Sequence, residues 1–276
     1  MAPELTNPRA ERVLAVKALS GRSPSSASAR RRTGTYLVEG PQAVREAVRF
    51  APERVRELYL SESAAGRYTE IVLDSLKAGL HARTTSDDVA KVMSPDAQGV
   101  LAVLESVPLR LADVLASASP RLVAILSRVR DPGNAGTVIR AADAAGADLV
   151  IVTAESVDVH SPKVVRSSAG SLFHLPVVTG VELSDAAPLL RDAGLTVLAA
   201  DGHGEADLDE VADGGGPVDL SRPTAWLFGN EAWGLPDADL ALAHTAVRVP
   251  IRGRAESLNL ATAAAVCLFA SARAQR

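Results

Sequence analysis

The second half of the chain carries an alternation that few folds can satisfy. Six apolar runs, RLVAILS (121–127), DLVIVT (148–153), LPVVT (175–179), LTVLAA (195–200), TAWLFG (224–229) and AVRVPI (246–251), are separated by stretches of helical pattern. A strand that is apolar along its whole length is covered on both faces, and strands separated by helices run parallel. The expected fold class is therefore α/β, a C-terminal parallel sheet with helices on both faces. Its core must be aliphatic, because 47% of the residues are hydrophobic but only 3% are aromatic. No apolar stretch reaches the roughly 18 residues that span a bilayer. The opening MAPELTNPRAERVLAVK is charged throughout and does not read as a secretory signal. The lone Cys267 excludes an internal disulfide and a cysteine zinc cluster. A cytoplasmic protein is expected.

The first half reads as a smaller α/β unit. TYLVE (35–39) is a strand, and PQAVREAVRF (41–50) is a helix with Pro41 at its first position, where no N–H is needed. VRELYL (55–60) is a strand, 63–79 a helix, 81–84 a short strand, 86–93 a helix capped by Ser86, and QGVLAVLE (98–105) the last strand. The boundaries expected are 1–105 for this domain, 106–120 for a linker and 121–276 for the larger domain.

Charge is distributed unevenly. The net charge is −4, yet residues 1–40 hold seven Lys/Arg and three acids, which leaves −8 on the remainder. The segment 20–34, rich in Ser, Gly and Arg, reads as a mobile loop within a flexible basic arm of about residues 1–34. Such an arm is either a solvated terminus or a phosphate-following element. The acidic, glycine-rich 204–223 reads as an exposed loop. The stretch 257–275 reads as a helix starting on Ser257 and apolar on nearly every face, which suggests packing against a second subunit.

In open parallel sheets ligands bind beyond the carboxyl ends of the strands, and three of the loops there are unusual. DPGNAGTVIRAADAAGA (131–147) enters a helix at a Pro-Gly turn, with Asn134 as a plausible cap. Arg140 follows one turn beyond Gly136, on the same face, where it could reach an anion or stay in solvent. LFGNEAWGL (227–235) ends a strand in glycine and then presents Glu231. VPIRGRAESLNLA (249–261) leaves its strand at Pro250 and brings in Ser257 and Asn259. The chain has no GxGxxG after a strand, no phosphate-binding GxxxxGK[ST], no GxSxG elbow and no histidines at metal spacing. No metal site is expected.

Taken in order, N-x-G-x-x-x-R, F-G-N-E-x-x-G-L and V-P-I followed by S-L-N-x-A-x-A resemble the three signature motifs of the SpoU/TrmH family of RNA ribose 2′-O-methyltransferases, in the SPOUT class. The resemblance covers about 121–276. The N-terminal portion, through YLVEGPQAVREAV (36–48) and QGVLAVLE (98–105), is similar to that family's ribosomal-protein-like substrate-binding domain. Ribosomal RNA enzymes and thiostrepton-resistance methyltransferases share the layout.

The resemblance implies a trefoil-knotted site for S-adenosyl-L-methionine, a homodimer formed through the C-terminal domain, and a substrate that is RNA, most often 23S ribosomal RNA. It places Ala199, Ala200, Gly229, Val249, Ile251 and Leu258 at the cofactor. It makes Arg140 catalytic, with Asn134, Glu231, Ser257 and Asn259 as the other polar positions of the site. Arg30, Arg31 and Arg32 would contact RNA. Asn230 and Trp233 stand where the family more commonly has small residues, and Trp233 could either stack on a base or cover the cofactor pocket. The competing readings are a tRNA ribose methyltransferase, a base-methylating SPOUT enzyme, and an rRNA-binding protein that has lost catalysis.

Overall fold

A computed structural model describes residues 3–21 and 23–276. Arg22, one of the basic residues counted above, lies outside them. The chain packs as two compact units, one taking in the chain up to Val107 together with Asp158–His174, the other Pro108–Val157 with Leu175–Arg276.

The first unit contains strands β1 (Thr35–Glu39), β2 (Val55–Ser61), β3 (Ala82–Thr85) and β4 (Val100–Glu105), in the order β1-β4-β2-β3. β4 runs antiparallel to both its neighbours, and β2 pairs β3 in parallel. Tyr36, Leu37, Leu58, Leu60 and Leu101 are fully buried. The helix expected over 63–79 breaks at Tyr68 into Glu62–Arg67 and Thr69–Lys77.

The basic segment departs from expectation. Pro24–Thr33 is a helix, not a mobile loop. Ser23 caps its first turn by accepting from the Ser26 amide, and Gly34 closes it at φ +64. Within it Arg30 is 6% exposed. Its guanidinium donates to the Leu19 and Gly21 carbonyls and to the Asp158 carboxylate, 2.8 Å away. A buried cation with this set of acceptors holds structure together and is withdrawn from solvent.

Asp158–His174, expected in the larger domain, packs in this unit for related reasons. His160 stacks on Tyr36 with ring centroids 4.2 Å apart. Arg166 pairs with the buried Glu39 and lies 3.1 Å from Asp96. The glycine at 170 is at φ +102, and a Cβ there would fall 2.4 Å from Glu46 Cγ. Sequence proximity placed this segment with 121–276, whereas these charge and ring contacts place it with the smaller sheet.

The second unit holds seven strands in one sheet: β5 (Leu122–Leu126), β6 (Leu149–Thr153), β7 (Val177–Val181), β8 (Thr196–Ala200), β9 (Ala206–Asp207), β10 (Thr224–Phe228) and β11 (Thr245–Arg248). The order is β7-β6-β5-β10-β8-β11-β9, and every pairing is parallel. Alternation along the strands serves two faces. Val123, Ile125, Val197 and Leu227 share a core with Leu111, Leu183 and Leu190 from helices. On the opposite side, buried Trp226 donates from Nε1 to Ser271 Oγ of the Leu260–Ala274 helix at 2.8 Å.

Several local expectations shift. The linker 106–120 contains the helix Leu111–Ala118. The acidic stretch 204–223 contains β9 and the helix Leu208–Ala212, whose Leu208 and Val211 are buried. β11 stops at Arg248, because Pro250 cannot extend a ladder. The terminal helix starts at Leu260, with Asn259 as its cap rather than Ser257. It is not buried all round: Val266 and Phe269 are 40% and 50% exposed. Among the described residues no helix is long and apolar enough to cross a membrane.

Candidate active site

The strand order determines where a crevice forms. β10 enters the sheet between β5 and β8, although β6, β7, β8 and β9 all come between β5 and β10 in sequence. The loops leaving β8, β10 and β11 therefore emerge side by side and surround a cleft of about 1020 Å³. That volume suits a small-molecule ligand of cofactor size.

The β10 exit is a closed turn. Asn230 and Gly234 exchange both backbone hydrogen bonds, each 2.9 Å long. The buried Asn230 side chain donates to the Arg128 carbonyl at 2.7 Å and accepts from the Ala232 amide at 2.8 Å. The Asn230 side chain thus rigidifies the turn. Gly229 is required by space, since a Cβ there would lie 2.5 Å from the Gly234 backbone.

Three polar residues far apart in sequence meet at this turn. Glu231 accepts from the backbone N–H of Asp131 at 3.2 Å and from Asn134 Nδ2 at 3.1 Å. Asn259 Nδ2 donates to Asn134 Oδ1, also at 3.1 Å. The result is a directed chain, Asn259 to Asn134 to Glu231, with both ends on the cleft wall. Each member is held from its own backbone side. Asp131, rather than Asn134, caps the Pro132–Ala145 helix by accepting from the Asn134 amide at 2.8 Å. Asn259 caps the terminal helix by accepting from the Ala261 and Thr262 amides. Neither asparagine side chain has its Nδ2 spent on its own helix, so both remain free to link across.

Of the six residues placed at a cofactor, Ala200, Gly229, Val249, Ile251 and Leu258 line the cleft. Ala199 does not; it faces the sheet core. Ser257 lines the cleft on an exposed stretch ahead of the helix. Arg140 is exposed on the Pro132–Ala145 helix and is not among the residues lining the cleft of one chain. Arg31 and Arg32 are exposed, and Arg30 is buried as described above. No described His, Cys, Asp or Glu cluster has the geometry of a metal site.

Sequence reading missed the loop after β8. Asp201, Gly202 and His203 line the cleft, and Asp201 Oδ1 accepts from the His203 amide at 2.8 Å. The rule that ligands sit beyond strand carboxyl ends would have found them, because they directly follow LTVLAA. It also missed how the acidic stretch braces the β11 exit, with Arg248 paired to Asp207 at 3.1 Å and Arg252 to Asp209 at 2.5 Å.

The donor set fits S-adenosylmethionine. Ala200, Ile251 and Leu258 offer apolar walls, the irregular 249–259 segment offers peptide groups, and the Asp201, Glu231 and Glu256 carboxylates complement a cation.

Comparison with known proteins agrees. Residues 121–269 match the model of the SpoU rRNA Methylase family, and residues 37–109 match that described as RNA 2′-O ribose methyltransferase substrate binding. A 23S rRNA (guanosine(2553)-2′-O)-methyltransferase of Bacillus subtilis is 33% identical over 242 residues, 87% of this chain and 89% of that one. A 23S rRNA (uridine(2479)-2′-O)-methyltransferase of Streptomyces viridochromogenes is 40% identical over 154 residues. That alignment spans 54% of this chain and about half, 51%, of the relative. The crystal structure of an AdoMet-bound rRNA methyltransferase from Sinorhizobium meliloti superposes with a TM-score of 0.81 at 29% identity, covering 98% of this chain and 97% of that one.

Proposed function

The chain belongs to the SpoU rRNA methylase family, and from that premise we propose that it methylates a ribose 2′-hydroxyl of 23S ribosomal RNA in the cytoplasm, acting as a homodimer. The observation that carries this reading is the Asn259–Asn134–Glu231 chain at the mouth of the cleft. It unites one polar residue from each of the three motifs. The 23S rRNA relative from Bacillus subtilis aligns with 87% of this chain, against 59% for a tRNA (guanosine(18)-2′-O)-methyltransferase of Thermus thermophilus, and this favours ribosomal over transfer RNA as the target.

S-Adenosylmethionine, when bound, supplies an electrophilic methyl group on a sulfonium. The protein must align a sugar hydroxyl with it and offset the charge that develops on oxygen. Glu231 already accepts several N–H groups, so its role is to fix Asn134 rather than to remove a proton. Asn134 and Asn259 present amide groups toward the acceptor. Arg140 holds the neighbouring phosphate and stabilises the forming oxyanion as a cation. Ala200, Gly229, Val249, Ile251, Ser257 and Leu258 form the cofactor walls. Exposed Arg31 and Arg32 follow RNA phosphates.

The dimer accounts for the position of Arg140. The terminal helix packs along the Pro132–Ala145 helix. Their exposed faces carry Val266 and Phe269 on one and Thr137 and Arg140 on the other. A second copy seated there covers the two apolar side chains and carries Arg140 toward the neighbouring cleft. The crossing of chains expected from the family, a trefoil knot through the β10 and β11 exits, is part of the same proposal.

The test is transfer of labelled methyl from S-adenosylmethionine to protein-free 23S rRNA and, in parallel, to bulk tRNA. Ribose methylation is then mapped in the product. Label at one ribose in 23S rRNA is expected. Label confined to tRNA would overturn the substrate, label on a base would overturn the reaction, and RNA binding without label would indicate a non-catalytic binder.

A further inference from the structure

Of the two tryptophans, Trp226 is fully buried, while Trp233 is 54% exposed at the lip of the cleft. We infer that Trp233 is the stacking platform for an unpaired nucleobase of the RNA, the base of the nucleotide being methylated. This inference rests on the methyltransferase reading above and adds the part of the substrate that the cleft grips.

The first support is rigidity. Trp233 sits inside the turn closed by the paired Asn230 and Gly234 backbones and locked by the Asn230 side chain. An indole carried by such a turn is held at the surface by its backbone, not by mobility. Folding gains nothing from leaving half of that ring in water.

The second is how the ring is dressed. The Arg130 guanidinium lies over it, 5.3 Å from the centroid. One face is therefore covered by a cation, and Trp233 is among the residues that line the cleft. Single-stranded RNA is gripped in this manner, with bases splayed out onto aromatic rings or guanidinium planes.

The third is charge. S-Adenosylmethionine carries a net positive charge, a sulfonium and an ammonium against one carboxylate, which the Arg130 cation disfavours at this lip. A nucleotide brings a phosphate, which Arg130 attracts. Of the two roles the sequence left open for Trp233, this favours the base over the cofactor. Position agrees as well. Glu231, two residues earlier in the same turn, ends the polar chain that runs from Asn259 through Asn134. A base stacked on Trp233 thus carries its ribose into the same cleft. Every base has a π-face, so the ring grips without reading base identity.

The experiment uses tryptophan emission of the full-length protein, with buried Trp226 as an internal reference. Heptauridylate, protein-free 23S rRNA and S-adenosylhomocysteine are titrated separately against wild type, Trp233→Phe and Trp233→Ala. Both RNAs should quench the exposed component in wild type, and that component is absent in Trp233→Ala. In methyl transfer, Trp233→Ala should raise the KM for 23S rRNA roughly tenfold, with kcat within about twofold, while Trp233→Phe restores most of the loss. RNA binding without quenching, or an unchanged KM in Trp233→Ala, overturns the inference. So does equal quenching by S-adenosylhomocysteine alone, because the ring would then cover the cofactor. Failure of the enzyme reading is distinct: wild type would label no RNA, whereas RNA-dependent quenching that requires Trp233 would still support the platform.

Discussion

Asn259 has two duties that substitution can separate. Its Oδ1 caps the terminal helix through the Ala261 amide at 2.9 Å and the Thr262 amide at 3.4 Å. Its Nδ2 donates to Asn134 at 3.1 Å. Asn259→Ala removes both. Loss of an N-cap costs about 1 kcal/mol. Loss of a partly exposed side-chain hydrogen bond adds roughly 0.5–1 kcal/mol. The sum, about 1.5–2 kcal/mol, lowers Tm by roughly 3–8 °C for a unit of this size.

Asn259→Asp keeps the acceptor at the cap, and its negative charge suits a helix N-terminus, so its Tm should stay within about 2 °C of wild type. It has no N–H to give Asn134, however, and it sets a second carboxylate to compete with Glu231 for the one Asn134 amide. Methyl transfer to 23S rRNA should fall at least about tenfold, the rate equivalent of about 1.4 kcal/mol of lost alignment, in a protein that melts normally. Differential scanning calorimetry and labelled-methyl transfer on the same preparations check both halves. If Asn259→Asp methylates at the wild-type rate, the link to Asn134 is not used. If it melts as early as Asn259→Ala, capping is not what Asn259 contributes.

Other expectations follow from the same geometry. Arg140→Ala should bind S-adenosylmethionine in calorimetry as wild type does while losing methyl transfer; full turnover would remove Arg140 from the mechanism. Arg31→Ala with Arg32→Ala should reduce the salt dependence of RNA binding by one to two ions, about 0.7 in log–log slope for each phosphate no longer neutralised, at unchanged Tm. Arg30→Met, by contrast, should lower Tm, because Asp158 and the Leu19 and Gly21 carbonyls lose their donor; an unaltered melt would show that the buried guanidinium is dispensable. His160 is held neutral, its pKa pushed down to about 4 by burial, against the pull of Asp158 and with Arg54 and Arg30 adding to the effect. Its unfolded counterpart, at about 6.5, takes up a proton first, so this part of the stability is intact above about pH 6.5 and drains away as pH falls toward 4. Between pH 7 and 5 wild type should lose about 2 kcal/mol more in urea titrations than His160→Gln; equal losses would sink the assignment.

Much of this protein is legible in residue order because its physics is local. Continuous apolar runs such as LVIVT predict covered strands, Pro41 predicts a helix start, and Ser86 caps the helix that follows it. The three motifs could be read as a family signature without coordinates. What local rules misjudged were positions with two suitable claimants. Asp131 and Asn134 both suit an N-cap, as do Ser257 and Asn259, and in each case the packing that brings Asn134 and Asn259 together settles the winner. Arg30 has the sequence appearance of a surface arginine among arginines, but Asp158, 128 residues away, makes it a buried anchor. The assignment of Asp158–His174 to the smaller sheet has the same origin.

Residue order therefore determined the elements, the aliphatic core and the chemistry available, since periodicity, capping and residue type act within a few positions of the chain. Tertiary structure alone decided that β10 lies between β5 and β8, and so which loops share a cleft, which asparagine faces which carboxylate, and that Trp233 stands at the rim. Those outcomes depend on pairings remote in sequence, such as β5 with β10 and Asn134 with Asn259, where the free energy of a contact reflects the whole packing and not the neighbourhood in sequence.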